Sequence, residues 1–71
     1  MTVYELVYKD NQVDPLLYAT EDIALKRAWQ DYLDSTVFEE ESPPPIFDEF
    51  VRKLWRDETN YEVRERVVFL G

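Results

Sequence analysis

The sequence predicts an α+β domain whose elements follow the order β-β-α-α-β. Three observations predict it. Segments near both ends alternate apolar and polar side chains, as half-buried strands do. Two central segments repeat apolar residues at helical spacing instead. Turn, cap and proline signals fall where one period gives way to the other.

Residues 2–9 are rich in β-formers, with Tyr4, Leu6 and Tyr8 on one face and Val3, Glu5 and Val7 on the other. Asp10, Asn11 and Gln12 supply turn chemistry. Residues 13–19 read as a second, shorter strand, and Pro15 has no N–H to give a central ladder, so this strand belongs at a sheet edge. Thr20 is a good N-cap, and Glu21 and Asp22 follow it in the first turn, where the helix dipole favours acids. Leu25, Ala28, Trp29, Tyr32 and Leu33 then define a helix over 21–34.

Residues 35–45 form a connector that ends in Pro43, Pro44 and Pro45, a run that favours extended backbone. Phe47, Phe50, Val51 and Leu54 mark a second amphipathic helix over 46–57, with Asp48/Arg52 and Glu49/Lys53 as four-apart pairs of favourable orientation. Tyr61, Val63, Val67 and Phe69 give a third strand over 61–69, its stripe interrupted by Glu65, expected at a sheet edge. The whole of 1–71 is read as one domain. Its three strands are expected in the order 2-1-3 with both helices on one face. If the first two strands form a hairpin and the helices an antiparallel pair, the third strand emerges parallel to the first.

Seventy-one residues without cysteine or histidine leave no disulfide and no common zinc ligand set, so packing alone must hold the fold. Eleven aromatic residues make that feasible. The same absences remove the usual nucleophile–base pairs, and the only glycine, Gly71, excludes a glycine-rich phosphate loop. The expectation is a non-catalytic chain with no cofactor and no metal. The opening residues show neither a basic n-region nor a long apolar run, so a cytoplasmic chain without a membrane span is expected.

The formal charge of −8 argues against binding nucleic acid directly and favours a basic partner. It is unevenly spread. Residues 28–51 contain no Lys or Arg but hold Asp31, Asp34, Glu39, Glu40, Glu41, Asp48 and Glu49; outside them, nine acids face eight bases. Asp31 and Asp34 fall in the last turns of the first helix, where the dipole disfavours carboxylates. These seven acids, with Phe38 as an apolar contact, are the candidate partner-binding residues. The blander account is an acidic loop that serves solubility. Val3 and Val7 on the outer sheet face, or a strand edge, offer the alternative of a homodimer or structural contact.

Three segments carry a resemblance: Val3-Tyr4-Glu5-Leu6-Val7-Tyr8, then Leu17-Tyr18-Ala19-Thr20-Glu21-Asp22, then Tyr61-Glu62-Val63-Arg64-Glu65. In this order they resemble a group of small uncharacterised proteins of bacteriophages and actinobacterial genomes. The Pro43-Pro44-Pro45 connector departs from that group. By character the chain is similar to acidic phage inhibitors of host defence, of anti-CRISPR or anti-restriction type, some of which imitate the charge of DNA. The resemblance implies a phage or mobile-element origin and a basic, nucleic-acid-binding host effector as partner. It supplies no catalytic residue.

Overall fold

The computed structural model of the chain describes residues 1–9 and 16–69. Its elements are β1 (Thr2–Tyr8), β2 (Leu16–Tyr18), α1 (Glu21–Ser35), α2 (Phe47–Trp55) and β3 (Tyr61–Val67). The expected turn at 10–12 and the 13–15 part of the expected second strand lie outside the described residues. The sheet has the order β2-β1-β3, with β1 central, as the edge placement of the second strand predicts.

The third strand does not run as expected. β3 pairs antiparallel to β1, with Thr2 opposite Val67 and Tyr8 opposite Tyr61. The reason lies in the connector. Phe38 packs edge-on against Tyr32 of α1 at 5.7 Å between ring centres, and Pro45 then lies beside Trp29, one turn earlier in α1. The connector therefore doubles back along α1. Phe47 lies against Trp29 and Lys26, and Phe50 against Tyr32, so residue numbers rise together on both helices. The helices run in the same general sense, and the chain makes one more reversal than an antiparallel helix pair would need.

α1 begins where the Thr20 hydroxyl accepts from the Ile23 amide at 3.2 Å. α2 is shorter than its apolar spacing suggests. It starts after Pro45, with Ile46 as an N-cap that makes no side-chain bond, and it stops at Trp55. Asp57 adopts φ 59°, and the amides of Asp57 and Glu58 donate to the carbonyls of Leu54 and Lys53. This is a Schellman cap, built on an aspartate where glycine is usual. Neither Asp48/Arg52 nor Glu49/Lys53 closes into an ion pair; the ion pairs among the described residues lie elsewhere.

The core joins Leu6, Leu25, Ala28, Phe50, Leu54 and Tyr61, with Tyr8, Trp29, Tyr32 and Val63 packed around it. It covers the end of the sheet where Leu6, Tyr8, Tyr61 and Val63 lie and reaches Tyr18 of β2. The apolar stripe of the third strand is thus only half used. Val67 is 54% exposed and Phe69, beyond the end of β3, is 90% exposed. Glu65 is exposed on an edge strand, as expected. No helix among the described residues is long and apolar enough to cross a membrane.

Candidate functional site

The connector is acidic, yet it is held in place. The Trp29 indole N–H donates to the Pro45 carbonyl at 3.0 Å, and Pro45 itself is buried. Phe38 is half-buried on Tyr32 and tethers this end of the connector. Val37, beside it, is the exposed apolar side chain, at 94%. Between these two tethers the Ser42 amide donates to the Glu39 carbonyl at 3.0 Å and closes a four-residue turn. Glu40 and Glu41 occupy the tip of that turn, and Glu39, Glu40 and Glu41 are all exposed.

Not all seven acids share one surface. Glu39 and Glu49 line a shallow groove together with Tyr32, Phe38, Pro45 and Lys53. Asp48 is exposed in the first turn of α2, and Asp34 is exposed in the last turn of α1. Asp31 belongs elsewhere. Its Oδ2 accepts from the Tyr61 hydroxyl of β3 at 3.3 Å, in a partly buried setting. That bond gives Asp31 a structural reason to stand near the C-terminus of a helix that carries no base in its last turn. Burial, reinforced by the nearby Asp31 charge, raises the Tyr8 hydroxyl above its usual pKa.

Among the described residues, the other six acids have no cationic partner. The ion pairs among the described residues are Lys9–Asp57, Lys26–Asp22, Arg56–Glu58, Arg64–Glu62 and Arg66–Glu5. Every acid in them lies outside residues 28–51. No group of three or more carboxylates among the described residues is placed to hold a metal ion. Sequence reasoning missed Val37 and Lys53. Val37 has no periodic neighbours to set its exposure, and Lys53 reaches the groove only because the connector folds back beside α2.

The outer sheet face carries Val3, Glu5 and Val7 of β1 opposite Arg66, Arg64 and Glu62 of β3. Arg66 pairs with Glu5 across the strands at 2.8 Å, and Arg64 pairs with Glu62 along β3 at 2.9 Å. Val3 and Val7 flank this charged ladder and are half-buried. The bond from Arg64 holds the Glu62 carboxyl below its usual range.

Comparison with protein-family models, with curated proteins and with solved structures gives no match.

Proposed function

We propose that this chain is a protein-binding inhibitor that covers a basic, nucleic-acid-binding surface of its partner, its carboxylates taking the place of phosphates. The reading includes a phage or mobile-element origin and a host defence effector as the partner. One observation carries it: a connector tethered at Phe38 and Pro45 displays Glu39, Glu40 and Glu41, which, like the flanking Asp34, Asp48 and Glu49, have no cationic partner among the described residues. A loop that served only solubility would gain nothing from being held. Held carboxylates lose less entropy on binding, and a groove shaped for one phosphate per roughly 1.7 Å of duplex axis accepts them as stand-ins. Val37 adds apolar contact next to the charges.

The test is competition. Protein retained from bacterial extract on the immobilised chain is challenged with duplex DNA. Release by DNA, and a steep loss of retention as salt rises, is the expected result. Retention that neither DNA nor salt disturbs contradicts the proposal.

A further inference from the structure

The β1–β3 ladder fixes which backbone groups of β3 face outward. The Lys9 amide donates to Asn60, the Val68 amide to Met1, and the Met1 amino group to Val68. Hydrogen-bonded pairs therefore recur at Glu62, Arg64 and Arg66, opposite Val7, Glu5 and Val3. The amides and carbonyls of Val63, Glu65 and Val67 point the other way, off the edge of the sheet, and meet no partner among the described residues. Those of Tyr61 point outward too and contact the Thr59 hydroxyl at 3.3 Å. A groove lined by Leu54, Trp55, Tyr61 and Val63 runs beside this edge, and Trp55 is 58% exposed in it.

An outward edge of this kind pairs with another strand unless its side chains forbid it. The side chains of β3 discriminate between registers when the partner is a second, antiparallel copy. Centring on Glu65 sets Glu65 against Glu65 and each Arg64 against an Arg66. Centring on Arg64 sets two arginines face to face. Centring on Val63 sets each Glu62 against Arg64 of the second copy, twice, with no like charges opposed. That register also pairs Val63 with Val63 beside the Trp55 groove and places Glu65 opposite Tyr61.

We infer that the chain forms a twofold dimer by pairing β3 with β3 of a second copy, in the register centred on Val63, to give a six-stranded sheet. The occupant is argued from charge complementarity: the Glu62–Arg64 alternation is its own complement in that register alone. Each Arg64 then lies between Glu62 of its own chain and Glu62 of the other. The Thr59 hydroxyls give way to the Glu65 backbone of the second copy. The inference is independent of the acidic connector, which the dimer displays twice.

Sedimentation velocity and single-cysteine cross-linking test it together. The wild type is expected to be a dimer in the high micromolar range. Arg64→Glu opposes like charges twice and weakens the dimer by about tenfold or more, and the charge-swapped double variant E62R/R64E restores it. The chain has no cysteine, so oxidation of Val63→Cys gives a disulfide-linked dimer without competition. Arg64→Cys and Glu65→Cys report the two rival registers and should cross-link poorly. A monomeric wild type, an R64E variant that dimerises normally, or preferential cross-linking at 64 or 65 overturns the inference. The charge swap uses the cysteine-free chain, with circular dichroism as the folding control, so it decides even if Val63→Cys does not fold.

Discussion

The indole N–H of Trp29 and the carbonyl of Pro45, 3.0 Å apart, join the middle of the first helix to the last residue before the cap of the second. This bond fixes where the connector ends and, with it, the direction in which the second helix sets out. Trp29→Phe keeps the packing against Phe47 but leaves a buried carbonyl without its donor. A loss of about 1–2 kcal/mol in stability is expected. Hydrogen exchange should quicken in the connector more than in β1; equal change in both segments would show that the bond does not hold the connector.

Asp57 occupies a left-handed position at the end of α2 and is ion-paired there with Lys9. The Lys9 and Asp57 side chains are 32% and 78% exposed, so solvent screens the pair and it contributes little. Asp57→Gly should therefore stabilise the fold by roughly 0.5–1 kcal/mol in urea denaturation, because glycine takes this φ without steric cost. Asp57→Val should destabilise it. A loss of stability in the glycine variant would mean that the Lys9 contact outweighs the backbone strain.

Asp34 is exposed in the last turn of α1, which contains no base. Asp34→Lys should raise stability by about 0.3–1 kcal/mol through the helix dipole. If the acid serves binding, the same variant weakens partner retention. Stability and retention rising together would place Asp34 outside the binding surface.

Tyr8 carries a pH dependence on the alkaline side. Its hydroxyl is raised above the ordinary tyrosine value of 10.0, chiefly by burial and then by Asp31. The unfolded chain therefore ionises first. The stabilisation is complete below about pH 10 and is lost as pH climbs from there through the raised folded value. Tyr8→Phe should flatten the alkaline limb of a stability–pH profile, and an unchanged limb would contradict this origin.

Much of the fold is legible in the sequence where the signals are local. The Thr20 cap, the helical spacing after it and the alternation of residues 2–8 all appear as read. What was not legible depends on contacts between distant residues. The direction of β3 follows from Trp29 meeting Pro45 and Tyr32 meeting Phe38, and no local period encodes either contact. The early stop of α2 rests on Asp57 taking a glycine's conformation in a chain whose sole glycine is Gly71. Of the candidate site, the exposure of Glu39, Glu40 and Glu41 was readable from their charge. The engagement of Asp31 by Tyr61 was not, because it needs the sheet to bring β3 beneath α1.

Reversal of the turn at the tip of the connector tests the central claim most directly. The triple variant Glu39→Lys, Glu40→Lys, Glu41→Lys alters only exposed side chains, so its circular dichroism and thermal midpoint should stay close to those of the wild type. Binding to a partner that wild-type protein retains, and that duplex DNA displaces, should be lost. A folded triple variant that binds the same partner with unchanged affinity would contradict the account and leave the acidic stretch a solubilising surface.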